Sequence, residues 1–209
     1  MSEEPAWPFS TDGIIETIIT TEQPDGTWNV AALGIRPDKT AHTAVTWGNT
    51  RTRRNLERTK HGYVQSLTDS MDFARAALDR WTVSDPILEN AAAWVSVQAD
   101  MIDTGASAGT DWAEWTLKPQ HCEIRERHVP VPSRGFPAVI EMTIAASRLG
   151  VSTYDQTHLV ERLRYFADVA TTCGGETDRT AAKWILTTVT EQMPDIEIDD
   201  TIGSEEHVE

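Results

Sequence analysis

Five residues between Arg51 and His61 are basic (Arg51, Arg53, Arg54, Arg58 and Lys60) and one, Glu57, is acidic. The chain as a whole runs the other way, with 18 Lys+Arg, 33 Asp+Glu and a formal net charge of −15. An even spread would put about one basic residue in eleven positions. Arg51, Arg54, Asn55 and Arg58 follow i, i+3, i+4, i+7 spacing and share a helix face. Thr50 or Thr52 serves as N-cap, and Gly62 as the stop before a strand from Tyr63 to Leu67. Threonine hydroxyls, free amide N–H groups at a helix start and adjacent guanidinium groups together suit a dianionic phosphate. The same residues also read as a solvated basic face paired with acids, and Arg53 with Glu57 four residues on is one such pair.

The elements that must position this helix lie just before it. β-Branched residues crowd Ile14 to Thr21, Pro24-Asp25-Gly26 is turn chemistry, and a second strand runs Trp28 to Ile35. Its small residues, Ala31, Ala32 and Gly34, let a ligand approach the backbone closely. Thr40–Trp47 is read as a strand paired with Trp28–Ile35, Ser70–Arg80 as a short helix, and Ala93–Ile102 as an alternating strand. Gly105–Thr110 reads as a loop, and Trp112–His128 as a long strand or hairpin arm. From Phe136 the period becomes helical, with stripes on Val139, Ile140 and Ile144, on Leu159, Leu163 and Phe166, and on Ala181, Ile185 and Val189. Strands followed by three helices predict an α+β chain.

Other residue types offer less. His121 and Cys122 are adjacent on a strand and face opposite ways, and no second pair supports a metal. The remaining histidines show no His-Glu-x-x-His relation, and no serine lies in a Gly-x-Ser-x-Gly elbow. Glu141 and Arg148, seven apart, share a face of one helix, and Arg134-Gly135 precedes it. Cys122 and Cys173 are far apart, as expected of reduced thiols in a cytoplasmic protein.

Three stretches, in order, carry a resemblance: Gly13–Thr21, Asp25–Gly34 and Thr50–Gln65. They resemble the FMN-binding split-barrel superfamily, the fold of many flavin reductases, and within it most nearly the largely archaeal DUF447 proteins. Arg134–Leu149 and the helical end Leu163 to Gly175 are similar to the same family. The likeness covers roughly Gly13 to Met193. It departs from the family pattern at Trp28, where a proline is common, in Asn29-Val-Ala-Ala32, where the family often has Asn-Ala-Ala-Pro and the rigidifying proline is missing, and at Gln65, where the superfamily often places Asn.

The resemblance implies an FMN-binding split β-barrel followed by a C-terminal helical segment. The expected organisation is an N-terminal extension (1–12), a flavin-binding barrel (13–132), a helical subdomain (133–193) and an acidic tail (194–209), whose seven acids in sixteen residues predict disorder. Thr50, Arg51 and Thr52 would hold the FMN phosphate, and Asn55 would cap the loop or reach the ribityl chain. Asn29, Ala31, Ala32 and Gly34 would lie along the isoalloxazine, their backbone groups bonding its polar edge. Trp47 would stack on the ring or fill the barrel, Gln65 would offer an amide, and Arg134 would add charge near the phosphate. A homodimer with flavin near the interface is implied, and a small-molecule electron donor or substrate. An oxidoreductase and a non-enzymatic carrier or redox sensor are both compatible with that site.

Composition bounds the partners. Hydrophobic residues make up 39% of the chain and mean hydropathy is −0.40, with no apolar run near the ~20 residues a membrane helix needs. The N-terminus has no basic n-region or apolar core, so no signal peptide is expected. Lysine occurs only at positions 39, 60, 118 and 183. An acidic, arginine- and threonine-rich chain of this kind resembles proteins of high-salt cytoplasms. Its field opposes general nucleic-acid binding.

Overall fold

A computed structural model describes residues 7–8, 13–38, 41–107, 109–126, 133–194 and 196. The extension and the acidic tail expected at the two ends fall almost wholly outside the described residues. The chain forms two compact units, a barrel unit of residues 1–68 and 80–128 and a helical unit of residues 69–79 and 129–209.

In the barrel unit, β1 (Ile15–Glu22), β2 (Trp28–Arg36), β3 (His42–Trp47), β4 (His61–Leu67), β6 (Ala91–Ser107) and β7 (Thr110–Ile124) pair antiparallel in the order β1-β4-β6-β7-β3-β2. Pairing of β2 back onto β1 closes a six-stranded barrel. A two-residue strand, β5 (Thr82–Val83), adds to the start of β2. The β1–β2 turn has the expected chemistry: Gly26 takes φ +83°, and the Asp25 carboxylate accepts from Thr27 N at 3.0 Å and from its hydroxyl at 2.7 Å. Those bonds favour the ionised form and hold the Asp25 pKa below its ordinary value.

Strand alternation sorts the side chains. Ile19, Leu33, Ile35, Val64, Val95, Val97 and Trp115 point inward and make the barrel core. The buried Trp115 donates from its indole to Thr46 Oγ1 at 3.0 Å. Helix α1 (Arg51–Thr59) closes one end, with Leu56 only 1% exposed among the barrel-core residues.

The β6–β7 hairpin is longer than the sequence pattern indicates. Gly105 and Ser107, expected in a loop, are strand residues paired with Trp112 and Thr110. The Trp112 ring lies so close over Gly105 that a Cβ there would come within 2.6 Å of it. An aromatic ring thus covers the bare strand backbone, and the turn shrinks to the tip, where Gly109 takes φ +79°.

The helical unit comprises α3 (Gly135–Ala146), α4 (Gln156–Cys173) and α5 (Glu176–Gln192), the three helices expected. It also takes in α2 (Ser70–Leu78), which the expected boundary at Pro132 leaves with the barrel. Phe73 packs edge-on against Phe136, and Ala74 shares a core with Val139, Met142, Leu163 and Ile185. Asp69 and Asp155 cap α2 and α4 through backbone N–H groups. Glu141 pairs with Arg162 of α4 rather than with Arg148, and Arg148 lies over the Tyr154 ring.

Candidate functional site

Helix α1 begins as its sequence predicts. Thr50 is the N-cap, its hydroxyl accepting from Arg53 N at 3.2 Å. Gly48, at φ +71°, turns the chain from β3 into the helix, and its N–H donates to the Asp111 carbonyl at 2.6 Å. The end differs from expectation. The helix stops at Lys60 in the left-handed region (φ 51°), whose N–H bonds the Leu56 carbonyl, and Gly62 is already inside β4.

Of the five basic side chains, three have hydrogen-bond or ion-pair partners and two, Lys60 and Arg51, have none among the described residues. Arg53 pairs with Glu57 at 3.0 Å. Arg54 donates to the Asn49 backbone carbonyl at 2.6 Å, and Arg58 to the backbone carbonyl of Glu22. Lys60 is exposed and contributes to the field that lowers the Asp100 pKa, after hydrogen bonds from Lys118 and Gln98. Arg51, half-buried in the first turn, has no hydrogen-bond or ion-pair partner among the described residues. Position, not local charge density, makes Arg51 the guanidinium available to an anion.

Two buried amides fix this helix to the barrel. Asn29 Nδ2 donates to Thr52 Oγ1 at 3.1 Å, and Asn55 Nδ2 donates to Thr21 Oγ1 at 3.1 Å and to its carbonyl at 3.3 Å. Asn29, Thr52 and Asn55 are each about 5–6% exposed. Asn55 therefore acts as a brace to β1, with the donors of its amide engaged there. Gln65 is likewise committed: it is fully buried, its Nε2 donates to Thr20 Oγ1 at 3.2 Å and the Pro86 carbonyl at 2.9 Å, and its Oε1 accepts from Leu88 N at 2.8 Å.

The small residues of β2 lie beside a break in the sheet. β2 is paired with β1 from Trp28 to Ile35. On its other edge it meets β5 at Trp28 and Asn29, and β3 only at Ile35 and Arg36. Between them, among the described residues, no strand is paired to that edge. Backbone groups of a strand alternate between its two edges. Val30 N–H points to the open edge, where it reaches the Trp81 carbonyl at 3.0 Å, so the groups of Ala32 and Gly34 point there too. The same alternation turns Ala31 and Asn29 toward the barrel interior and Ala32 and Gly34 outward. The sequence places these four in one role; the strand divides them between two faces.

Trp47 stands on the far side of this split. β3 follows β2 only as far as Ala44 and then continues on β7 alone. Trp47 does not fill the barrel: it is 55% exposed, on the outward face, and Trp115 occupies the core. Arg134 lies in the helical unit, where its guanidinium donates to Cys173 Sγ at 3.4 Å. The strap that crosses from Trp81 to Leu88 gave no signal in sequence, since Thr82-Val83 is too short to read as a strand.

No curated protein matches the chain. Among solved structures it is similar to an FMN-bound protein, MM1853, from Methanosarcina mazei, at 25% identity, TM-score 0.72, and coverage of 85% of this chain and 96% of that one. A looser likeness, at TM-score 0.36 and 14% identity over 56% of this chain and 91% of the other, is to a styrene monooxygenase flavin reductase from Pseudomonas putida S12. Residues 15–126 match the model described as the N-terminal domain of a protein of unknown function, DUF447, and residues 133–187 match the other DUF447 model. The chain belongs to the DUF447 family and has the split-barrel fold with a C-terminal helical segment.

Proposed function

We propose that the chain is an FMN-binding flavoprotein that acts as a flavin-dependent oxidoreductase, with the flavin in the split between β2 and β3. The observation that carries this is the unpaired edge at Ala32 and Gly34, joined to the start of α1 by the Asn29–Thr52 hydrogen bond. A flavin ring presents alternating donors and acceptors along one side, and a bare strand edge matches it. Ala32 lies three residues from Asn29, roughly 10 Å along the strand, a reach a ribityl chain spans. The residues present fit the cofactor: Arg51 and the first-turn N–H groups would hold the phosphate, and Ala32 and Gly34 the ring. Asn55 and Gln65 would act behind them, bracing the helix and the strap. A relative spanning most of this chain is itself FMN-bound, which supports the reading.

Bound FMN supplies hydride and electron transfer; the protein's part is to orient it and control access. We extend the reading to a homodimer in a high-salt cytoplasm. Support comes from the outer part of β6, where no strand is paired to its free edge among the described residues and Met101 and Ile102 are 40% and 54% exposed. A carrier or redox sensor is the second reading: residues 30–34 and 45–47, the two edges of the split, carry no titratable side chain of their own, and the nearby carboxylate is that of Glu16, beside Gly34.

Mass analysis of the chromophore released from the purified protein is expected to give FMN. Arg51→Ala should weaken FMN binding by about 10- to 100-fold with an unchanged circular dichroism spectrum. Parent affinity in that variant would remove the phosphate assignment. Anaerobic bleaching of the flavin by NADH or NADPH would mark the oxidoreductase, and no reduction by either the carrier.

A further inference from the structure

We propose that Trp81 is a wall of the flavin site, contacting the ring at the end of the split nearest helix α1. This rests on the reading of the split as the place where flavin binds. Trp28 pairs with Val83 and Asn29 with Thr82, so the next opposed pair is Val30 and Trp81. The 3.0 Å bond from Val30 N to the Trp81 carbonyl holds that register. Opposed residues in antiparallel strands share a face, and their diagonal neighbours stay within reach of an aromatic ring. Trp81 therefore stands on the outward face, with Val30 opposite and Ala32 on the diagonal. It is the last residue on this edge before the backbone is bare.

What lies beyond it is small. Ala32 has one carbon and Gly34 none, so β2 itself puts no bulk on this face between Val30 and Arg36, and the Ile14 and Glu16 side chains border it at 3.3 and 3.7 Å from where a Gly34 Cβ would stand. On the other side of the split, β3 carries Trp47 on its outward face. Two indoles thus bracket a stretch of open strand edge, an arrangement that suits a flat heteroaromatic ring.

The strap is held firmly enough for its position to matter. Thr20 Oγ1 and Gln65 Nε2 both donate to the Pro86 carbonyl, at 2.5 and 2.9 Å. Gln65 Oε1 accepts from Leu88 N, and the Leu88 carbonyl accepts from Arg125 at 3.3 Å. β5 on β2 and these bonds anchor the strap on the C-terminal side of Trp81, and the Val30 bond holds the Trp81 backbone itself. The buried Gln65 is a positioning residue in this account, acting through the strap.

The test uses the full chain loaded with FMN, reading affinity by titration and the emission of the bound flavin. An indole in contact with a flavin quenches its fluorescence by donating an electron to the excited ring; a phenyl group does so far less. In a Trp47→Phe background, which removes the other indole, Trp81→Phe, which keeps an aromatic ring under the strap, should brighten the bound flavin several-fold with little change in affinity. Trp81→Ala should brighten it too and weaken binding by about tenfold. Trp94→Phe, on the outer face of β6, should leave both readouts at parent values. Bound FMN that stays as dim and as tightly held in both Trp81 variants as in the Trp47→Phe background overturns the proposal. A parent protein that does not bind FMN overturns the reading of the split as well.

Discussion

The two edges of β2 behave differently although one strand makes both. Toward β1 it is paired along eight residues, and the Leu33 carbonyl takes a further bond from the Thr17 hydroxyl at 2.6 Å. Toward β3 it is paired at two residues and then left open. The first edge serves stability, because a backbone donor turned inward there has no alternative to its partner. The second gives up sheet bonds that the fold does not need and leaves main-chain groups for a ligand. A barrel can keep its core and still hold a site, provided the missing bonds lie on one edge of one strand.

The largest expected effect breaks that contrast directly. Leu33→Pro removes a donor aimed at β1 and a core side chain, and should cost on the order of 3–5 kcal/mol, enough to unfold the barrel unit. Ala32→Pro removes a donor from the open edge and should leave the free energy of urea unfolding within about 1 kcal/mol of the parent, while FMN binding falls at least tenfold. Equal destabilisation by the two prolines would show that the edges are equivalent. Next in size, Leu56→Ala opens a cavity where α1 closes the barrel and should cost about 3 kcal/mol by denaturant unfolding.

A smaller effect tests the part of the β2–β3 seam that is still closed. His42, 6% exposed and stacked on Trp7 at 4.0 Å, has an Nε2 with no partner among the described residues. Burial holds its pKa below 6.5, against opposing contributions from Asp38, and burial acts in the same direction on His61, against Glu22. The folded protein resists a proton that the unfolded chain accepts. Stability is therefore full above pH 6.5 and declines as pH falls below it. His42→Gln should flatten the urea midpoint between pH 7.5 and 5.5; an unchanged slope would assign the decline elsewhere. Asp25 and Asp100, whose pKa values lie below 3.8, act only in a separate, more acid window. The smallest effect is that of Glu57→Ala, which loses an exposed i, i+4 pair worth about 0.3–0.5 kcal/mol.

Much of this was legible in the residues, and the exceptions share a cause. Strands β1 and β2, the Thr50 cap and the three late helices follow from local patterns of branching, capping and period. The extent of β6 did not, because Gly105, Ala106 and Ser107 have loop composition and only the Trp112 ring across the hairpin explains their pairing. The basic helix was visible, and so was the Arg53–Glu57 pair, but not that Arg54 and Arg58 have partners while Arg51 does not, since those two partners are backbone carbonyls. The small residues read together on β2 are mixed in direction. Which of them meet an open edge depends on where β3 leaves the sheet, a matter of register between strands that no single stretch of chain encodes.

The chain leaves the barrel at Asp69, builds one helix of the other unit, and returns at Arg80 before finishing the strands. A deletion that ends the protein near residue 133 would accordingly not release a clean barrel. It would strand α2 with Phe73 and Ala74 bared to water, and such a fragment should be found in inclusion bodies. A cut at the apparent boundary between the two units would leave neither intact.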